Sequence, residues 1–296
     1  MNDYPVIRVV ESELIKQRLD VLYLTLNASL GDTFNALLHL STNPPKVPYT
    51  LICKRDHVSL VSLMLSLFPM PPREIIIVPT QDGSFPLKTA QANTSIQLRR
   101  GFQGGIDSPG HIILWTHPNA YQRISPLSPH HIEAWRRLAM RHQNTDDLPR
   151  NAVIFFARRG IGPRVPPPFK ALSGFLRSKG FQSQFSNVSQ VAHYGEELID
   201  STVPLHLSID SLVSLIYSRS DLTLIGLRSG IFDIVRFSQC KSVLFYDTET
   251  EELWLSMRMI HLPHLFPCKE ILYGPNQTPT DWQTNFDQVH QFITAD

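Results

Sequence analysis

Apolar residues in this chain come in short solid blocks separated by longer stretches of mixed character. VLYLTL (21–26), YTLICK (49–54), EIIIVP (74–79) and HIILWTH (111–117) are too uniformly apolar for strands with one wet face. They fit strands covered on both sides. Between and after them, LGDTFNALLHLS (30–41), HVSLVSLMLSLF (57–68) and PHHIEAWRRLAMRH (129–142) have helical length and spacing. Strand, helix, strand in that order predicts βαβ units and a parallel sheet.

The polar stretch HQNTDDLPRN (142–151) interrupts this rhythm, and the rhythm then restarts. AVIFFAR (152–158), LTLIGL (222–227), SVLFYD (242–247) and EILYG (270–274) read as strands. PPFKALSGFLRSKGF reads as a helix entered through prolines and closed at Gly180. IDSLVSLIYSRS (209–220), IFDIVRFSQ (231–239) and a terminal TDWQTNFDQVHQFIT, capped by Thr280 or Asp281, complete the helices. The economical reading is an α/β protein with two Rossmann-like domains, 1–146 and 147–296. Residues 81–110 carry little periodicity and several glycines. A long loop shaping an acceptor site and a disordered excursion both fit that stretch.

Composition adds bounds rather than direction. Hydrophobic residues make up 42% and charged residues 18%, the balance of a globular protein. The net charge of +1 provides no global field for nucleic acid, so any anion site has to be local. Cys53, Cys240 and Cys268 are far apart and form no C-x-x-C pair, which fits buried thiols in a reducing compartment. The first twenty residues do not resemble a secretory signal, and Val58–Met70 is too short and serine-rich to span a bilayer. The expected location is cytoplasmic, and peripheral association with the inner face of a membrane is compatible with it. Oligomeric state is left open by the sequence.

Two strand-to-helix junctions carry candidate chemistry, because ligands of doubly wound sheets bind at the carboxyl ends of strands. In LTLNASLGDTFNALLHL (24–40), Gly31 can take a conformation closed to other residues and lets a ligand approach the backbone, and Asp32 follows it at the helix start. Asp32 fits a helix N-cap, and it also fits a general base if a substrate hydroxyl lies within reach. In the second junction, LTLIGL runs into Arg228, Ser229 and Gly230 before the next helix. Backbone N–H groups at a helix start, a hydroxyl and a guanidinium fork together suit a phosphate, although an ordinary β–α turn with a solvated arginine reads the same way. The loop FFARRGIGPRVPPPF (155–169) adds Arg158, Arg159 and Arg164 after the first strand of the second half. Its cations and the 228–230 turn belong to one sheet edge, where they could meet one diphosphate. His117, at another carboxyl strand end, is the best placed of the twelve histidines, and a solvated loop residue is its plain alternative.

These segments, in this order, resemble GT-B glycosyltransferases, especially lipopolysaccharide heptosyltransferases. SLGDT (29–33) matches that family's S-x-G-D turn, which implies that Asp32 is the catalytic base. SIDSLVSLIYSRSDLTLIGLRSGIFDIV (208–235) follows the family's donor-phosphate segment from Leu212 through Gly230. Two positions depart from it. Arg228 stands where the family has an acidic residue, and the family's histidine position falls near Asp233. The resulting R-S-G-x-x-D form is similar to glycosyltransferases of capsule and O-antigen clusters. The resemblance further implies phosphate contact by Arg164 and matches Glu196 to an acidic position beyond the second strand of that domain.

The resemblance implies two parallel-sheet domains facing across a cleft, an N-terminal acceptor domain and a C-terminal donor domain. It implies inverting, metal-independent transfer of a sugar from a nucleotide-sugar donor to a saccharide or glycolipid hydroxyl, with no cofactor. No metal site is expected, since HLPH (261–264) and the pair His130–His131 fall short of three or four converging ligands. The chain has no G-x-S-x-G elbow, Walker A sequence or G-x-G-x-x-G fingerprint. The rival reading is a non-catalytic GT-B-fold protein that binds a nucleotide or phosphorylated sugar, or partners an active transferase.

Overall fold

The computed structural model describes residues 6–9, 21–26, 30–42, 44–78, 110–114, 129–141, 148–157, 166–188, 198–227, 229–247, 267–274 and 276–295. The chain forms two compact units, Met1–Leu138 and Ala139–Asp296.

The first unit holds a five-stranded parallel sheet of β1 (Val6–Val9), β2 (Leu22–Leu26), β3 (Tyr49–Lys54), β4 (Glu74–Val78) and β5 (Gly110–Leu114), in the order β1-β4-β3-β2-β5. Helix α1 (Leu30–Thr42) joins β2 to β3, and α2 (Val58–Met64) joins β3 to β4. A further helix, α3 (Pro129–Ala139), follows β5. Leu22, Leu24, Leu26, Leu51, Ile52 and Ile76 are buried, as solid apolar strands require. Phe34 of α1 meets Trp135 of α3 with ring centroids 5.1 Å apart. Strand β1 arises where no strand was expected. It is short, lies at the sheet edge and leaves Val6 and Ile7 exposed, so its apolar pattern has little to distinguish it.

The second unit is a six-stranded parallel sheet of β6 (Val153–Phe156), β7 (Gln184–Asn187), β8 (Val203–Leu205), β9 (Thr223–Leu227), β10 (Lys241–Asp247) and β11 (Cys268–Tyr273). The order β11-β10-β9-β6-β7-β8 is the doubly wound 6-5-4-1-2-3 arrangement. Its helices are α4 (Phe169–Ser178), α5 (Ile209–Ser218), α6 (Gly230–Val235) and α7 (Pro279–Thr294). One core packs Phe155, Val243 and Phe245 of the sheet against Phe169, Leu172 and Leu176 of α4 and Phe286, Val289 and Ile293 of α7.

Three local outcomes refine the sequence reading. Strands β7 and β8 were not anticipated, since QFSN and VPL are short and lack a β-branched run. Helix α6 stops at Val235 rather than continuing through Gln239. The cap of α7 is Thr278, which forms a reciprocal capping box with Asp281 around Pro279. Gly180 does close α4, in the left-handed region at φ 100°.

Gly226 in β9 is dictated by packing. A Cβ there would lie 2.7 Å from both the Cβ and the carbonyl oxygen of Phe156, its ladder partner in β6. At the amino-terminal end of the same strands, Arg219 binds Asp221 with two nitrogens at 2.7 Å and donates to the carbonyls of Leu148 and Pro149. The Asn151 amide also donates to Asp221. The segment entering β6 is thereby tied to the segment entering β9.

No helix among the described residues is long and apolar enough to cross a membrane.

Candidate functional site

In the second sheet the strand order reverses once, between β6 and β9; in the first, the run β2-β3-β4 extends one way from β2 and β5 is added on its other side, with β1 beyond β4. In doubly wound sheets generally, ligands bind at the carboxyl ends of the strands at such a switch point.

In the second unit β6 and β9 are parallel neighbours, with Phe156 opposite Gly226. Ala157 and Leu227 are the last described residues before the chain leaves them. The next residue in sequence is an arginine in both cases, Arg158 and Arg228. These two, with Arg164, lie outside the described residues.

Beyond Arg228, Ser229 is the N-cap of α6 in extended conformation, and its side chain makes no capping bond to the helix. Gly230 opens the helix. Helix α6 is buried from Ile231 to Val235 and held from two sides. Phe156 of β6 meets Phe232 edge-on at 5.6 Å, and the Tyr217 hydroxyl of α5 donates to the Ile234 carbonyl at 2.7 Å. Asp233 is inside this helix and buried, one turn before Arg236, which is also buried and whose guanidinium lies 4.7 Å from the Phe237 ring centre.

In the first unit, α1 begins at Leu30. Gly31 and Asp32 therefore belong to its first turn and not to the connection before it. Gly31 is buried and helical, so the turn does not use the wider conformational range that glycine offers. Its carbonyl instead accepts from Asn35 Nδ2 at 2.9 Å, one helical turn on. The side chain of Asp32 lies outside the described residues, as do His117, three positions past the end of β5, and Glu196.

Next to Asp32 is a polar pair that sequence reasoning did not single out. Thr33 Oγ1 and His57 Nδ1 are 2.9 Å apart, and both side chains are buried. His57 closes a 3-10 turn, Arg55–His57, directly after β3. Burial, reinforced by the nearby Lys54 cation, pushes its imidazole down to about 4, so it is neutral at physiological pH. Its Nε2 has no hydrogen-bond partner, and neither does Asn35 Oδ1. The available signal was KRDH (54–57), a polar cluster at a carboxyl strand end just before an apolar helix.

A shallow cavity of about 400 Å³ lies where β11 runs into α7, lined by Gly274, Asn276, Gln277, Asp281, Thr284 and Asn285. Asn285 Nδ2 donates to Gln277 Oε1 at 3.0 Å across it. It is two strands removed from β9 in the sheet order. Among the described residues no three His, Cys, Asp or Glu side chains gather as a metal site.

No protein-family model and no curated protein matches the chain. Among solved structures it is similar to a glycosyl transferase family 9 protein from Veillonella parvula. The two are 12% identical with a TM-score of 0.44, over 96% of this chain and 92% of that one.

Proposed function

We propose that this chain is a glycosyltransferase that moves a sugar from a nucleotide-sugar donor to a saccharide or glycolipid hydroxyl, with inversion and without a metal. The observation that carries the reading is topological. Two adjacent parallel strands at the switch point of the second sheet are each followed at once by an arginine, one of them in the Arg228-Ser229-Gly230 turn. That is where a doubly wound sheet receives a ligand, and guanidinium groups suit the phosphates of a nucleoside diphosphate. The counterpart position in the first unit leads from β2 into the helix turn that contains Asp32.

In this scheme residues 147–296 hold the donor and residues 1–146 the acceptor. Asp32 accepts the proton of the acceptor hydroxyl as its oxygen forms a bond to the anomeric carbon. The bond from that carbon to the diphosphate oxygen breaks on the opposite face. Arg228, Arg158 and Arg164, with the Ser229–Gly230 turn, stabilise the charge that develops on the leaving group. Gly31, Asp233, Glu196 and His117 are assigned as further donor or acceptor contacts. A glycolipid acceptor would bring the protein to the inner face of a membrane.

The test pairs two variants on a panel of ADP-, GDP-, UDP- and CMP-linked sugars. One donor should raise the melting temperature, since it binds only the native state. Asp32→Asn should lower the transfer rate by about 100-fold or more while that stabilisation persists. Arg228→Ala should remove most of the stabilisation. Full transfer by Asp32→Asn would rule out the base, and stabilisation without turnover of any donor would identify a binding module instead.

A further inference from the structure

We propose that His57 is a positioning residue for Asp32, acting through the hydroxyl of Thr33. The inference rests on the reading of Asp32 as the base.

Asp32 and Thr33 are consecutive in the first turn of α1, and successive helical residues are set 100° apart about the axis. Fixing the Thr33 side chain to an external group therefore fixes the roll of this turn, and with it the direction in which the Asp32 Cα–Cβ bond leaves the helix. The external group is well anchored. His57 follows β3, the immediate neighbour of β2, and β2 is the strand that feeds α1. The 2.9 Å contact thus closes a loop running from β2 through α1 to His57 and back through β3. The bond from Asn35 Nδ2 to the Gly31 carbonyl stiffens the same turn from within.

Packing alone does not account for an imidazole at this site. His57 is 1% exposed and its Nε2 is left without a partner, a desolvation loss that a leucine of similar size would not incur. One hydrogen bond is what the imidazole adds there, and that bond goes to the neighbour of Asp32. Nδ1 either accepts from the Thr33 hydroxyl or donates to it, depending on the tautomer. An asparagine amide can occupy the place of Nδ1 in both senses, whereas leucine can do neither.

The experiment uses the full chain with Thr33→Val, Thr33→Ser, His57→Leu, His57→Asn and the Thr33→Val/His57→Leu double variant. Transfer kinetics and amide hydrogen exchange of the peptide 30–38 are measured on each. Thr33→Val and His57→Leu should each lower kcat by about tenfold, as for a small misplacement of a reacting group, with donor KM within about twofold. Both should speed exchange in the peptide. The double variant should be no slower than the worse single one, and Thr33→Ser and His57→Asn should recover most of the loss. Faster exchange with unchanged kcat would overturn the proposal and leave a purely structural clasp, and so would a loss that the conservative variants fail to repair. Full transfer by Asp32→Asn would instead remove Asp32 as the base and the positioning role with it, whereas no transfer from any donor would overturn the glycosyltransferase reading and that role together. Accelerated exchange in Thr33→Val would still report the clasp in that case.

Discussion

His57 links the stability of the first unit to pH in one direction. Thr33 faces it from α1 and Lys54 from the end of β3, and burial is the larger reason its proton affinity is depressed. The unfolded chain takes up a proton near pH 6.5, whereas the folded chain resists until about 4. Stability from the neutral imidazole is therefore complete above pH 6.5 and is lost as pH falls towards 4. A depression of this size is worth about 3 kcal/mol as an upper figure. Urea unfolding at pH 7 and at pH 4.5 should show a clear loss in the wild type. The pH-dependent part should shrink in His57→Asn, even though that variant is less stable at pH 7. An equal pH dependence in both proteins would place the acid sensitivity elsewhere.

At the scale of elements, strand β9 can lie against β6 at the switch point because Gly226 has no side chain. The backbone oxygen of Phe156 cannot retreat from an added methyl without disturbing the ladder, and the Phe156 ring is occupied in supporting α6 through Phe232. Gly226→Ala should therefore destabilise the second unit by about 1–3 kcal/mol, read as a lower denaturant midpoint at unchanged slope. Donor-induced stabilisation should weaken as well, because β9 leads straight into the Ser229–Gly230 turn. The central strands β2, β3, β4, β6, β9 and β10 were legible as apolar blocks because burial on both faces leaves an unmistakable pattern. Strands β1, β7 and β8 were not: β1 and β8 are short edge strands paired on one side, and β7, although paired to both β6 and β8, is the largely polar QFSN. Among the proposed site residues, motif and strand-end position pointed to Asp32, Ser229 and Gly230. Thr33 and His57 escaped because their partnership spans 24 positions and arises only when β2 and β3 pair.

For the whole molecule, the second unit has what independent folding requires. Its core joins α4, the sheet and α7 through Phe155, Phe169, Phe245, Trp282 and Phe286, and its sheet is complete in the doubly wound order. The boundary matters in detail. Arg219 donates to the carbonyls of Leu148 and Pro149, and Asp221, pushed down to about 2 chiefly by its bond to Arg219, accepts from the Asn151 amide. A fragment starting after Asn151 would leave the Arg219 fork half-used at the entry to β9. A fragment of residues 139–296 keeps every one of these bonds. It should unfold cooperatively, and if the Arg228-Ser229-Gly230 turn supplies the donor affinity, it should bind the nucleoside diphosphate within about tenfold of the full chain, a difference of about 1.4 kcal/mol. Transfer should be absent, because Asp32 is missing. Titration calorimetry on the fragment and on the full chain makes the comparison. A well-folded fragment that binds no nucleotide would move the donor site away from the switch point of the second sheet and leave Arg228 as an ordinary turn residue.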